Sequence, residues 1–210
     1  MHLFNRLSAI KEKYPDLFEY LPAKEVFPHD HFMDRFVLRF LPSYSTPNGI
    51  TILRIALTPL VFLITLYGHY RFGVILFLLT AFTDAIDGSL ARTRNKITRF
   101  GMLFDPLADK LLIGSMVLLL VFRYLNMYLG LVILGIEILF IVSALVAKIK
   151  FKRVHTADRW GKFKMILQVI AMSLVMIALL IDFPYLLTVA AWIFGLAIGF
   201  AILSLFRHGI

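Results

Sequence analysis

The chain has 210 residues, of which 60% are hydrophobic and 17% charged, and a mean hydropathy of +0.84; a soluble domain carries roughly a quarter charged residues, so composition excludes an ordinary soluble fold. There is no cysteine, which excludes disulfides and thiolate metal sites. The net charge of +9 arises after residue 40, where sixteen basic side chains stand against seven acidic ones. It favours anionic head groups or phosphate-bearing substrates over nucleic acid, because the positive charges lie beside apolar runs rather than on a soluble face.

Residues 1–44 read as an N-terminal cytoplasmic or interfacial segment, interrupted by Pro15, Pro22 and Pro28. Its opening residues lack the charged-then-apolar order of a cleavable signal peptide. From His31 to Leu41, Phe32, Phe36, Leu38, Phe40 and Leu41 alternate with charges, which predicts an amphipathic helix in the membrane interface. A small folded cap on the cytosolic side is the alternative. His29 and His31 flank Asp30, with Asp34 nearby, but no further zinc ligand is close, so they read as surface residues.

Residues 45–210 read as one domain of six transmembrane helices, making the whole an all-α membrane protein. The predicted spans are 48–67, 72–94, 101–122, 127–147, 162–181 and 184–206. Arg92, Arg94, Lys96 and Arg99 follow the second span, and seven basic residues from Lys148 to Lys164 follow the fourth. The opposite loops hold only Arg71 and Arg123, so the positive-inside rule places both basic loops and both termini in the cytoplasm.

Four of the seven acids after residue 40 fall between positions 84 and 109. Asp84 and Asp87 end the second span; Asp105 and Asp109 open the third. Residues three or four apart share a helix face, so each pair projects as a unit, and the short connection brings both pairs to one depth. Intramembrane carboxylates face a cavity, an ion or a partner, and four together need compensating cations. Hard oxygen ligands suit Mg²⁺, Mn²⁺ or Ca²⁺ rather than zinc, and a two-ion site suits phosphoryl transfer. Paired acids and arginines that merely fix helix packing are the structural alternative. Gly88 and Ala91, beside the aspartates, and Gly101 clear room for a bulky group to approach the backbone, although such residues also serve close helix packing. Arg92 offers a phosphate two hydrogen bonds. Pro106 is expected in the opening turn of its helix, where proline is tolerated. Glu137, a lone acid in the fourth span, calls for a partner on a neighbouring helix or across a dimer. A cation transporter is the alternative of another class, but it requires polar groups throughout the membrane depth, and the outer halves here are almost wholly apolar. A prenyltransferase would space its acids differently.

Asp84, Asp87, Gly88, Ala91, Arg92, Gly101, Asp105 and Asp109 read D-x2-D-G-x2-A-R-x8-G-x3-D-x3-D without a departure. On that pattern the chain resembles the CDP-alcohol phosphatidyltransferases, over roughly residues 45 to 207. The resemblance implies that Asp84, Asp87, Asp105 and Asp109 bind two Mg²⁺ or Mn²⁺ ions. It further implies that Asp109 removes the proton of the acceptor hydroxyl, and that Gly88, Arg92 and Gly101, with Ala91 beside them, line the CDP site. Asn48 and Thr51 are candidates either for nucleotide contact or for an ordinary helix-start role. It also implies a CDP-diacylglycerol or related CDP-alcohol donor, a homodimer and a prokaryotic inner membrane.

Pro47-Asn48-Gly49-Ile50-Thr51 with Arg54, Phe104 to Lys110, and Gly161 to Lys164 followed by Gln168 are similar to the phosphatidylglycerophosphate synthases. Met165 and Ile136 stand where that subfamily usually has threonine and arginine. The likeness implies glycerol-3-phosphate as the acceptor, and the departures keep inositol phosphate, serine or a second lipid as alternatives. Lys110, Arg153, Arg159, Lys162 and Lys164, with His155, are candidates for the acceptor phosphate; an orientation signal and lipid-surface contact is the other reading of that basic loop.

Overall fold

The computed structural model describes residues 19–21, 28–42, 45–151 and 159–207. The architecture is all-α apart from one two-residue antiparallel ladder, β1 (Tyr20–Leu21) with β2 (Ile97–Thr98), in which Tyr20 faces Thr98. The helices are α1 (Pro28–Phe36), α2 (Pro47–Leu66), α3 (Tyr70–Thr93), α4 (Arg99–Met116), α5 (Met127–Phe151), α6 (Arg159–Ile181) and α7 (Tyr185–Arg207). A π-helix, Val117–Leu125, continues α4.

Three helix ends share one device. Gly68, Asn95 and Asp182 have φ of 81°, 50° and 52°, and the next residue's N–H reaches back five positions, from His69 to Ile64, Lys96 to Ala91 and Phe183 to Ala178. This left-handed cap satisfies carbonyls that a helix end leaves over. At the other end of α2, Thr46 Oγ1 accepts the Gly49 N–H at 3.2 Å and Pro47 takes the first helical position. Thr98 caps α4 in the same way, accepting the Gly101 N–H at 3.0 Å.

Because α4 starts at Arg99, Pro106 lies inside the helix and not in its opening turn. Its ring removes the bond to the carbonyl four residues earlier. The predicted helix at His31–Leu41 is also corrected. The helix is α1, with Pro28 in its first turn, and it breaks at Val37 into a 3-10 turn, Leu38–Phe40. Leu41 is extended before Pro42, as the residue before a proline prefers. Phe32, Phe36 and Phe40 are exposed while Asp30, Met33 and Leu38 are buried, so the segment is amphipathic, with Leu38 on the inner side.

Among the described residues, Pro47–Leu66, Tyr70–Thr93, Trp160–Ile181 and Tyr185–Phe206 are long and apolar enough to cross a membrane, and α5 is apolar over Met127–Ser143. Large apolar side chains such as Leu63, Phe72, Leu131, Ile166 and Trp192 are exposed on them, the pattern of an integral membrane protein whose outer surface meets lipid tails.

The chain forms two compact units. One holds the described residues up to Leu57 with Leu79–Asp109; the other holds Thr58–Leu78 and the described residues from Lys110 onward. In the second, α6 lies along α7. Ala190, Phe194, Ala197 and Ala201 are buried on α7, and Ala171, Met172, Val175 and Ala178 on α6; small residues at helical spacing let two apolar helices approach closely.

Candidate active site

On α2, Pro47, Thr51, Arg54, Thr58, Val61 and Thr65 are buried at alternating four- and three-residue spacing, a single stripe that is mostly polar. Arg54 is its centre. The side chain is wholly buried, and it donates from Nη1 to Asp84 Oδ1 at 3.0 Å, from Nη1 to Asp109, from Nη2 to Asp87, and from Nε to Thr83 Oγ1 at 3.2 Å. A guanidinium carries five donors in a fixed fork, so one side chain gathers carboxylates from two helices. Thr51, one turn earlier, places Oγ1 2.6 Å from Asp105 Oδ1 and 3.3 Å from Asp87 Oδ2. All four predicted aspartates thus converge.

The edge of the site is polar too. Thr98 Oγ1 donates to Asn48 Oδ1 at 2.7 Å. A Cβ on Gly101 would stand 3.3 Å from Asn48 Oδ1 and 3.4 Å from Asp105 Oδ2, so the missing side chain keeps that approach open. Thr46 caps α2, Asn48 Oδ1 accepts from Thr98, and Thr51 Oγ1 bonds the Pro47 carbonyl at the helix start as well as the aspartates. Ala91 is half-buried on α3.

Arg92 is engaged by the N-terminal segment. Its Nε and Nη2 donate to Asp30 Oδ2 and Oδ1, both at 2.8 Å, and Ser89 Oγ donates to Asp30 Oδ1 at 2.8 Å. Gly88 lies beneath the guanidinium, where a Cβ would meet Nη1 at 3.2 Å.

The acceptor candidates divide. Lys164 is buried, paired with Glu137 at 2.5 Å, and sits 4.5 Å from the centre of the Phe140 ring; Lys110 lies over the same ring at 5.9 Å. Gln168 Nε2 donates to the same Glu137 carboxylate at 2.9 Å, so the lone acid of α5 finds its partners on α6. Lys162 is exposed. Arg159 opens α6, while Arg153 and His155 lie outside the described residues.

Sequence reasoning named Arg54 only within a resemblance and did not give it a role. The signal was available, because Arg54 is the one charge in Pro47–Leu66 and an intramembrane cation calls for an acid. Thr98 and the role of Asp30 went unassigned. The side chains whose chemistry suits a hard divalent cation are Asp84, Asp87, Asp105 and Asp109. With Arg54 bonded to three of them, no three acids among the described residues are grouped around a single ion position.

The family model for CDP-alcohol phosphatidyltransferase matches residues 44–203, which include every one of these aspartates and Arg54. The chain belongs to the CDP-alcohol phosphatidyltransferase family. It is 35% identical over 138 residues to a CDP-diacylglycerol–glycerol-3-phosphate 3-phosphatidyltransferase of Rickettsia typhi, covering 63% of this chain and 76% of the relative. It is 33% identical over 182 residues to the protein of that name in Bacillus subtilis, covering 77% and 91%. A probable cardiolipin synthase (CMP-forming) of Drosophila melanogaster is 37% identical over 75 residues, 35% of this chain and 23% of the relative. As a CDP-alcohol phosphatidyltransferase the chain is an enzyme of phospholipid synthesis, and Asp30 precedes the part that the family model covers.

Proposed function

We propose that this enzyme transfers the phosphatidyl group of CDP-diacylglycerol to glycerol-3-phosphate and releases CMP. The observation that carries the reading is the convergence of Asp84, Asp87, Asp105 and Asp109 on Arg54 and Thr51, within the family-matched residues. The names of the Rickettsia and Bacillus relatives support the acceptor.

Three carboxylates on one guanidinium, with a fourth on Thr51, leave an excess of hard anionic oxygen, which fits Mg²⁺ or Mn²⁺ in donor chemistry. Asp84, Asp87, Asp105 and Asp109 would hold such ions, which when bound supply charge neutralisation at the pyrophosphate. Asp109 takes the proton of the acceptor hydroxyl. The hydroxyl oxygen then bonds to the phosphorus nearest the diacylglycerol, and the bond from that phosphorus to the oxygen of CMP breaks. Arg54 keeps the carboxylates of two helices in register, which is the preorganisation such a step needs. Asn48, Thr51, Gly88, Ala91, Arg92 and Gly101 form the nucleotide side. Lys110 and Lys164, together on the Phe140 ring, are the cations suited to the acceptor phosphate.

The proposed topology has six crossings, with α4 and its π-helical continuation, and α5, joining α2, α3, α6 and α7. The basic connections and both termini face the cytoplasm of a prokaryotic inner membrane, and α1 lies in the interface with Phe32, Phe36 and Phe40 toward lipid. The family likeness supports a homodimer. The departures at Ile136 and Met165 favour, as the second reading, the same chemistry with inositol phosphate, serine or a second lipid as acceptor.

The test is CMP release by purified protein given CDP-diacylglycerol, Mg²⁺ or Mn²⁺ and a panel of acceptor alcohols. Release should require glycerol-3-phosphate, stop with a chelator, and fall by about 10²-fold or more in Asp109→Asn. Release with another alcohol alone replaces the acceptor. No release with any of them refutes the transferase.

A further inference from the structure

We propose that Asp30 is a positioning residue for Arg92, so that the N-terminal segment outside the family-matched residues sets the enzyme's affinity for its CDP-lipid. The inference rests on the proposed placement of Arg92 and Gly88 at the CDP site.

Asp30 is wholly buried, and a buried carboxylate is stable only when paired and fully hydrogen-bonded. Arg92 donates to it twice and Ser89 once, each at 2.8 Å, from the last turns of α3. The two from Arg92 leave Nε and Nη2, one edge of the guanidinium, so the carboxylate fixes the plane of the group as well as its position. An arginine that is 26% exposed at a helix end, with a long flexible stem, would otherwise sample many rotamers. The guanidinium lies over Gly88, the residue after Asp87, where a Cβ would meet Nη1 at 3.2 Å and Nη2 at 3.4 Å, so the absence of a side chain allows close approach. Asp30 therefore holds the guanidinium over the aspartate-glycine step of the motif.

The segment bearing Asp30 is itself held against this region. Tyr20 and Leu21 pair with Thr98 and Ile97, the Leu38 carbonyl accepts from Arg94 Nη2 at 3.4 Å, and Met33 and Leu38 are buried on the same side as Asp30. A contrary role, in which Asp30 competes with substrate phosphate for Arg92, predicts a change of opposite sign.

The experiment uses full-length protein in nanodiscs and reads the Kd for CDP-diacylglycerol, the KM for each substrate and kcat. Asp30→Asn and Ser89→Ala are made in the wild type and in an Arg92→Lys background, with thermal unfolding as the measure of folding. Asp30→Asn should raise Kd and KM for CDP-diacylglycerol about tenfold, the order of one charge-assisted hydrogen bond. The acceptor KM and kcat should stay within about twofold, because only substrate binding is altered. In the Arg92→Lys background it should add nothing, since the effect passes through Arg92. Ser89→Ala, which leaves the Asp30–Arg92 pair in place, should give a smaller rise and decides the matter if Asp30→Asn does not fold. An unchanged Kd in a folded variant, a fall in Kd, or an equal penalty in the Arg92→Lys background overturns the proposal. Wild type that neither binds CDP-diacylglycerol nor releases CMP overturns the proposed function as well, whereas tight binding untouched by these variants sinks this inference alone.

Discussion

Arg54 holds the candidate site together. It bonds Asp84, Asp87 and Asp109 from a wholly buried position. Breaking a buried ion pair from one side leaves uncompensated charge and costs about 3–5 kcal/mol. Arg54→Gln is therefore expected to lower the thermal unfolding temperature strongly and to abolish CMP release, while Arg54→Lys, which keeps the charge without the fork, should fold better than it turns over. Detergent-solubilised unfolding curves beside CMP assays check both. The aspartates were legible in the sequence because their three- and four-residue spacing survives as a local signal. The partnership of Asp30 and Arg92 was not, because 62 positions separate them and no periodicity links residues so far apart.

Between α5 and α6 the stabilising contact is Glu137 with Lys164 and Gln168. Glu137→Leu leaves the Lys164 ammonium buried and should destabilise by about 3–5 kcal/mol, whereas Glu137→Leu with Lys164→Leu should recover most of that loss. If Lys164 holds acceptor phosphate, the double variant will be stable yet show a raised KM for glycerol-3-phosphate with an unchanged KM for CDP-diacylglycerol. A stable double variant with an unaltered acceptor KM removes Lys164 from the site. The ends of α2, α3 and α6 were legible to within two residues, since Gly68, Asn95 and Asp182 punctuate them. The start of α4 was placed two residues late, at Gly101, because Thr98, its cap, stands in a run of basic residues that reads as loop.

At the scale of the whole molecule, composition alone identified a membrane-embedded helical protein. Six crossings were expected; among the described residues four helices meet the length and apolarity of a span, and Met127–Ser143 is apolar over a shorter stretch. The difference has a physical source. Arg99, Asp105, Asp109 and Lys110 stand in α4, so the helix that carries half the site's carboxylates has too little continuous apolar surface to register as a span. The N-terminal segment is the other region where sequence reasoning stopped short. Alternating phenylalanines announced its lipid-facing side, whereas its inner side depends on pairing with α3 and β2.

The charge on α2 also bears on how the chain enters its membrane. A helix with Arg54 and no acid of its own meets a penalty of about 2.5–3.5 kcal/mol for an arginine near the centre of a span, and its neutralising carboxylates are not synthesised until α3 follows. Stable integration of α2 is therefore expected to depend on α3, which brings Asp84 and Asp87. In a glycosylation-mapping insertion assay, the isolated α2 segment should integrate less completely than its Arg54→Leu form, and appending α3 should close the gap. A gap that persists with α3 present would show that the two helices enter independently and meet only afterwards.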